Sequence, residues 1–192
     1  MGRIEPIALD DDQTRVNRIL AATASTGTPD ARLIRVLGKG EIGARWLEFF
    51  SEVMTGGKLP HRLKELVRIR MSVVEECGYC SSVRSKLALS EGLTEDVIGE
   101  MRDLEASENI TEREKAAVRY ADRYKRNDVD SDEVFDDLRE HFDDEEIIEL
   151  GVLCSTVHGG GPFAISLQVL TWEQACEATP ALPELKGATV AG

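Results

Sequence analysis

Apolar residues recur every three or four positions along most of the chain, the spacing of helices that bury one face in a core. This pattern predicts a first helix over residues 11–24, ended by the glycine and proline at 27–29, and a short second helix over 30–37. A third apolar face runs from Trp46 to Gly56. Because no segment shows the alternation of a half-buried strand, we predict an all-α fold.

The segment from 61 to about 74 carries its apolar residues on one stripe, and Glu65 lies on this core-facing helix. Continued straight, the helix would place Glu65 roughly 22 Å from Cys80, fifteen residues further on, at ~1.5 Å per residue. Contact between the two therefore requires either a chain break, for which residues 75–78 are the natural place, or a neighbouring subunit.

Past that break, residues 79–89 resume helical spacing and end at Gly92. Gly159 to Pro162 predicts a kink or a full break, because proline lacks the N–H of a helical residue and glycine weakens a helix on entropy. The last segment, 179–192, is expected to be loosely ordered. Four further helix starts are predicted at residues typical of N-caps: Thr94, Thr111, Ser131 and Asp143.

Composition and charge narrow the class of protein. With 192 residues, 42% of them hydrophobic, the chain is long enough for one well-filled core, and we expect a single domain over 1–192. The 36 acidic and 23 basic residues give a net charge of -13, which argues against nucleic acid or anionic membranes as partners. No signal peptide or stretch of ~20 apolar residues is found, so we expect a cytoplasmic protein.

Two of the four cysteines, Cys77 and Cys80, form a Cys-x-x-Cys pair. Such a pair either closes a disulfide, binds a soft metal ion or packs inertly, and in a reducing compartment it is more often catalytic or metal-bound. At the start of the predicted helix 79–89, backbone N–H groups would favour a thiolate.

The metal alternative has its own signal. Cys154 and His158 are four residues apart on a predicted helix, share a face, and with the first pair would complete a Cys3His set. Cys154 also sits in the apolar run 150–157, which favours a core position. Cys176 has no partner in sequence and is interpreted as structural.

Glu65 allows two interpretations. It is either a surface carboxylate paired with Arg68 or Lys64, or a partly buried one whose raised pKa suits proton transfer. His61 and His141 have polar neighbours and are predicted to lie on the surface.

Several motifs together point to a family. They are Leu59-Pro60 followed by Arg62 to Val67, the Cys77-x-x-Cys80 pair, a helix ending at Gly92-Leu93, and Glu114 to Asp122 before an amphipathic segment. With these motifs, residues 59–170 resemble the carboxymuconolactone decarboxylase superfamily, in the branch similar to alkylhydroperoxidase D, and residues 1–58 are additional N-terminal helices. The most specific feature is a glutamate twelve residues before the first cysteine.

The resemblance implies a compact, oligomeric helical bundle that works without a cofactor or metal. By the same resemblance Cys80 would attack the substrate, Cys77 would resolve the product, and Glu65 would belong to a proton relay. These roles are expectations from the family.

One position departs from the peroxidases of that branch. Four residues after Cys80 they carry a histidine, whereas this chain has Arg84, which could stabilise a thiolate or pair with Glu65 but cannot shuttle a proton. Tyr79 likewise stands where the family often has histidine. His158 is a candidate substitute; the alternative is a histidine at a frayed helix end.

We therefore predict a thiol-dependent peroxidase or disulfide oxidoreductase that reduces small hydroperoxides and is recycled by an external dithiol. Three alternatives stay open: a decarboxylase or other lyase acting on a small lactone, a metal-binding protein, and a non-catalytic helical oligomer.

Overall fold

The computed structural model describes residues 2–8, 14–168, 171–178, 182 and 185. Within these ranges the chain is helical and contains no strand, which confirms the all-α prediction. Nor does any helix there combine the length and apolar character of a membrane span. The described helices are α1 (Thr14–Thr23), α2 (Ala31–Leu37), α3 (Glu41–Thr55), α4 (His61–Val74), α5 (Gly78–Ser82), α6 (Lys86–Ser90), α7 (Glu95–Glu100), a 3-10 turn (Met101–Ala106), α8 (Glu112–Lys125), α9 (Asp132–Arg139), α10 (Asp144–Ser166) and α11 (Trp172–Ala178).

The predicted N-caps are confirmed. Thr94 and Ser131 accept hydrogen bonds from backbone N–H groups in the first turns of α7 and α9. Thr111 and Asp143 form full capping boxes, in which a glutamate three residues on bonds back to the cap. These starts are local in origin, so the sequence alone was enough to place them.

Helix α4 is central because it is buried along nearly its whole length. Leu63 and Val67 belong to an apolar cluster shared with α8 and α10. Leu66 and Ile69 face a second cluster with α6 and α7. A third cluster joins the N-terminal helices to Cys77. Polar groups on α4 are consequently held in a rigid, water-poor setting.

The predicted break after α4 is confirmed as a Schellman motif. The N–H of Cys77 bonds the carbonyl of Ser72 at 3.0 Å, and the N–H of Glu76 bonds that of Val73 at 3.1 Å. Glu76 takes the left-handed conformation this motif requires, with φ of 54°. The chain thus reverses within three residues, and α5 packs back against α4.

The single helix predicted over residues 79–89 is wrong. Helix α5 ends at Ser82, the chain is extended at Val83 and Ser85, and α6 then begins with the Ser85 side chain as its N-cap. The guanidinium of Arg68 bonds the carbonyls of Cys80 and Val83, so these are not used to continue the helix.

The break predicted at 159–162 is also wrong, because α10 runs through Pro162. Here the glycines serve close packing: a Cβ on Gly160 would lie 3.2 Å from the Trp46 ring, and one on Gly161 would overlap the Glu75 carboxylate.

Most of the C-terminal segment that was predicted to be loosely ordered lies outside the described residues. At Leu182 and Leu185 the chain is buried in the second cluster.

Two neighbouring glycine substitutions in α10 should have opposite effects. Gly159→Ala should raise the free energy of unfolding by about 0.5–1 kcal/mol, because a helical alanine is favoured and its Cβ meets nothing within 4 Å. Gly161→Ala should lower it, because its Cβ would displace the Glu75 carboxylate. Urea unfolding followed by circular dichroism measures both, and equal stabilisation of the two variants would contradict the packing described.

Candidate active site

Cys77 and Cys80 are joined by a disulfide, with Cα atoms 5.3 Å apart. Cys77 is the N-cap of α5, and its Sγ lies 3.3 Å from the backbone N of Cys80. The prediction that the pair stands at a helix N-terminus is therefore confirmed. Gly78 between them is tightly packed, because a Cβ there would overlap the backbone of Thr171 just before α11.

The two sulfurs differ in access. Cys80 lines a cavity of about 60 Å³, whereas Cys77 is 1% exposed and is not among the residues of its wall. The wall is formed by α2, α3, α4, α5, α10 and adjoining residues, and is largely apolar. It includes Leu33, Leu37, Trp46, Phe50, Val157 and Phe163. A molecule in this cavity meets Cys80 first.

Glu65 is fully buried and ion-paired to Arg68, with Nε to Oε1 at 2.8 Å and NH2 to Oε2 at 2.9 Å. The predicted pairing of Glu65 with Arg68 is confirmed, but the predicted surface position of Glu65 is wrong. Burial alone would raise the pKa of Glu65, but the charge and hydrogen bonds of Arg68, helped by His61 and the Ser85 N–H, hold this pKa below its usual value. The expected raised pKa is therefore also wrong.

Sequence reasoning named Arg68 only as a possible surface partner of Glu65 and missed its contacts with the cysteine segment. Its NH1 donates to the carbonyl of Cys80 at 2.5 Å and its NH2 donates to that of Val83 at 2.8 Å, while the same guanidinium holds Glu65. Glu65 thus reaches the cysteine segment through Arg68. A glutamate and an arginine three apart on a buried helix face were the available signal.

Arg84 points away from this pair. Its guanidinium bonds Glu95 at 2.6 and 3.2 Å and the carbonyl of Ser81 at 2.5 Å. The suggested pair between Arg84 and Glu65 is therefore wrong, because the extended segment around Val83 carries Arg84 towards the start of α7. None of the contacts described for Arg84 reaches the Cys80 sulfur, so its assistance to a thiolate stays a prediction.

Tyr79 lies between the cysteines in sequence and lines the cavity. Its side chain is 7% exposed, and its hydroxyl oxygen accepts a hydrogen bond of 3.0 Å from the N–H of Asp30. Burial, with the nearby Asp30 charge, raises the pKa of Tyr79 above its ordinary value, so the phenol is neutral. Tyr79 thereby ties α5 to the N-terminal helices.

His158 does not line the cavity, although Val157 and Gly160 do. Its Nδ1 lies 2.8 Å from Lys125 Nζ and 3.4 Å from Glu75 Oε1, and half of its side chain is exposed. Burial and the Lys125 charge lower the pKa of His158. Its participation in the chemistry stays a prediction.

The Cys3His set is not assembled. Cys154 is fully buried among the apolar residues of the first cluster, as the core interpretation predicted, and burial raises the pKa of its thiol. Within the described part of the chain, no three His, Cys, Asp or Glu side chains are grouped to hold a metal ion. Cys176 packs beside the second cluster.

His61 is more buried than predicted. Its Nδ1 faces the carbonyl of Met54 at 2.9 Å and its Nε2 faces the hydroxyl of Ser85 at 2.7 Å. A carbonyl only accepts, so Nδ1 of His61 donates to Met54. His61 therefore fastens the loop before α6 to the start of α4. His141 is partly exposed.

Comparisons with known proteins agree with this geometry. Residues 40–123 match the sequence model of the Carboxymuconolactone decarboxylase family. Two uncharacterized proteins of Mycobacterium tuberculosis are each 36% identical over 87 residues, 45% of this chain. That match spans 31% of the length of these relatives.

Solved structures extend the likeness to the fold. A protein of unknown function from Agrobacterium tumefaciens, suggested to be an antioxidant defence protein AhpD, covers 68% of this chain and 90% of its own at 26% identity and a TM-score of 0.61. The debrominase Bmp8 without ligand has a TM-score of 0.75 at 18% identity, covering 95% of this chain and 97% of its own. A cysteine-to-alanine variant of Bmp8 with 2,3,4-tribromopyrrole scores 0.74 at 16% identity, with the same coverage.

An all-helical fold that presents one cysteine of a Cys-x-x-Cys pair to an apolar cavity defines a class of helical thiol proteins. Within that class, the match over residues 40–123 and the likeness to the suggested AhpD protein support the carboxymuconolactone decarboxylase superfamily and its AhpD-like branch.

Removing the carboxylate of Glu65 should be far more costly than removing a matched surface carboxylate. Glu65→Gln should lower the free energy of unfolding by about 3–5 kcal/mol, because it leaves the Arg68 cation buried without its partner. Glu95→Gln, whose carboxylate is 54% exposed and pairs with Arg84, should change it by less than about 1 kcal/mol. Urea unfolding at neutral pH compares them, and similar losses would contradict the burial argument.

The pH dependence of stability should follow from the same pair. Because the folded pKa of Glu65 is lowered, its stabilisation is complete above the ordinary value of 4.5 and is lost as the pH falls through the folded pKa. As the pH falls through this range, the free energy of unfolding of Glu65→Gln should therefore decrease less than that of the wild type.

Proposed function

We propose that the chain is a thiol-dependent oxidoreductase that reduces small apolar hydroperoxides with Cys77 and Cys80. The observation that carries the proposal is the unequal access of two bonded sulfurs. Cys80 faces an apolar cavity, and Cys77 lies behind it, buried and close enough to form the disulfide. This is the arrangement that an attacking and a resolving thiol require.

The cycle starts from the reduced pair. The Cys80 thiolate attacks the terminal oxygen of R–O–O–H, the O–O bond breaks, and the products are a Cys80 sulfenic acid and, after one proton is taken up, the alcohol. The Cys77 thiol then attacks the sulfenic sulfur and expels water, which closes the disulfide. An external dithiol returns both electrons, so each turn converts one hydroperoxide into one alcohol and one water.

The cavity wall favours an uncharged substrate. Its one guanidinium, on Arg68, already bonds Glu65 and the carbonyls of Cys80 and Val83. A substrate carboxylate would have to compete with these bonds, which argues against the lactone decarboxylase alternative. The small volume of about 60 Å³ further favours a small substrate.

Reductive dehalogenation is a second candidate function. It is favoured by the N-terminal segments that contribute to the cavity wall. Thr28, Leu33, Leu37 and Trp46 belong to N-terminal segments that precede residue 59, and the debrominase Bmp8 matches 95% of the chain. The same two thiols could take a bromine from an activated ring, giving ring C–H, the disulfide, bromide and one proton. As in hydroperoxide reduction, the two thiols supply two electrons.

The remaining expectations complete the proposal. The cycle needs an external dithiol as its partner, and we place it in the cytoplasm, where such reductants keep thiols reduced. We also expect a homo-oligomer, for which the exposed apolar side chains Ile42, Phe49, Ile148 and Phe163 on α3 and α10 offer contact area.

Thiol counting tests the redox proposal. Fully reduced wild type, which has four cysteines, should lose two thiols after one equivalent of a small alkyl hydroperoxide. Cys80→Ser should lose none, and Cys77→Ser should stop at a sulfenic acid that dimedone traps on Cys80. Four unreactive thiols in the wild type would contradict the proposal. If dimedone trapped a sulfenic acid on Cys77 of the Cys80→Ser variant, the attacking and resolving roles of the two cysteines would be reversed.

Bromide release distinguishes the second candidate from the first. Reduced wild type should consume an alkyl hydroperoxide, and a brominated pyrrole should yield bromide only if the dehalogenase interpretation is right. Cys80→Ser is the control in both assays, since both reactions begin at its sulfur. Hydroperoxide turnover without bromide would eliminate dehalogenation, and the converse result would replace the first candidate.

A further inference from the structure

The proposed reduction of a hydroperoxide moves one proton from the Cys80 thiol to the departing oxygen, and the residues already described do not carry it. Glu65 has a lowered pKa and both of its oxygens are bonded to Arg68. Arg84 is paired with Glu95, and arginine does not release its proton. We propose that Glu75, supported by Lys125 and His158, is the proton carrier of this site, an inference that rests on the proposed function.

Position on α4 is the first support. Arg68, Ser72 and Glu75 are spaced by four and three residues, so they lie along one face of the helix and of its C-terminal cap. The first two line the cavity. Gly161 of α10 also lines it, and a Cβ on Gly161 would overlap the Oε2 atom of Glu75. The carboxylate therefore lies directly behind a cavity wall that has no side chain.

An unsatisfied oxygen is the second support. The side chain of Glu75 is only 6% exposed, and its Oε2 is buried without a hydrogen-bond partner. Buried polar atoms nearly always have a hydrogen-bond partner, and an exception calls for an explanation, of which a catalytic role is one. Here the orphaned atom is the one next to Gly161, a residue of the cavity wall.

A connection to solvent is the third support. Oε1 of Glu75 is ion-paired with Lys125, and Lys125 Nζ also donates to Nδ1 of His158 at 2.8 Å. His158 is 49% exposed at its side chain. Glu75 therefore has one oxygen on a hydrogen-bonded chain to solvent and the other beside Gly161, which separates it from the cavity.

The acid–base properties of these groups fit the role. Burial raises the pKa of Glu75, and the hydrogen bond and charge of Lys125 oppose this rise without cancelling it. Burial and Lys125 lower the pKa of His158. Glu75 is thereby made easier to protonate and His158 easier to deprotonate, which suits proton exchange between the cavity and solvent. Lys125 from α8 and His158 from α10 are the ionisable groups described around the carboxylate.

In the resulting step, the Glu75 carboxylate takes the proton of the Cys80 thiol across the cavity. The thiolate attacks the terminal oxygen of the hydroperoxide, the O–O bond breaks, and its electrons leave on the alkoxide. The Glu75 carboxyl group then gives its proton to the alkoxide. Thiol and hydroperoxide become sulfenic acid and alcohol, and Glu75 returns to the carboxylate.

Glu75→Gln tests the proposal, because it keeps the size of the side chain and removes its proton affinity. Single-turnover oxidation by an alkyl hydroperoxide should slow by about 100-fold, whereas alkylation of Cys80 by iodoacetamide should slow by clearly less, since alkylation needs a proton removed from the thiol but none delivered to the leaving group. The wild-type oxidation rate should fall with decreasing pH as Glu75 is protonated, and this acid limb should be absent from Glu75→Gln.

Lys125→Gln separates proton transfer from loss of the ion pair. It breaks the same pair but keeps the carboxylate, so the acid limb should persist and move to higher pH, because the cation that opposes protonation is gone. Gly161→Ala should slow oxidation by displacing the carboxylate, and Gly159→Ala, whose Cβ meets nothing within 4 Å, should leave the rate unchanged.

Several results would overturn the relay. A Glu75→Gln variant with the wild-type rate and acid limb would do so, as would equal slowing of oxidation and alkylation, which would show that Glu75 delivers no proton to the leaving oxygen. A wild type that consumes no hydroperoxide would overturn the proposed function and the relay with it. An active wild type beside an unchanged Glu75→Gln would overturn the relay alone.

Discussion

The ion pair between Glu65 and Arg68 is the interaction on which the site depends. Two opposite charges buried on one helix are tolerated only when their remaining hydrogen-bonding groups are satisfied, and here the carbonyls of Cys80 and Val83 satisfy the guanidinium. The pair thereby fixes where α5 ends and in which direction the chain leaves. A glutamate that the family resemblance assigns to proton transfer is, in this chain, the anchor of the cysteine segment.

What the sequence predicted well was local. Helical periodicity, N-caps such as Thr111 and Asp143, and the break before Cys77 depend on neighbours within a few residues, and the fold has all of them. Arg84 and the segment beyond Cys80 were misjudged, because their conformation is set by Arg68 and Glu95, which are distant in sequence or on another helix. The continuity of α10 through Pro162 has a similar origin in tertiary packing.

The cavity is lined by two parts of the chain, the segment that carries the cysteines and the N-terminal segment before it. The bonded cysteines and the ion pair of Glu65 with Arg68 come from α4 and α5, within the region that matches the family. Part of the apolar wall comes from α2 and the preceding loop, which lie before that region, and Tyr79 fastens α5 to the backbone of Asp30 there. Changes in the N-terminal helices can therefore alter which molecule is admitted while the sulfur chemistry stays the same.

The burial of Cys77 also constrains regeneration in the proposed cycle. A reducing thiol has to attack one sulfur of the disulfide, and of the two cysteines only Cys80 lines the cavity, while Cys77 is 1% exposed. In the proposed cycle, oxidant and reductant would consequently reach Cys80 through the same cavity, one after the other. The kinetic consequence would be ping-pong turnover, in which each of the two inhibits binding of the other at high concentration.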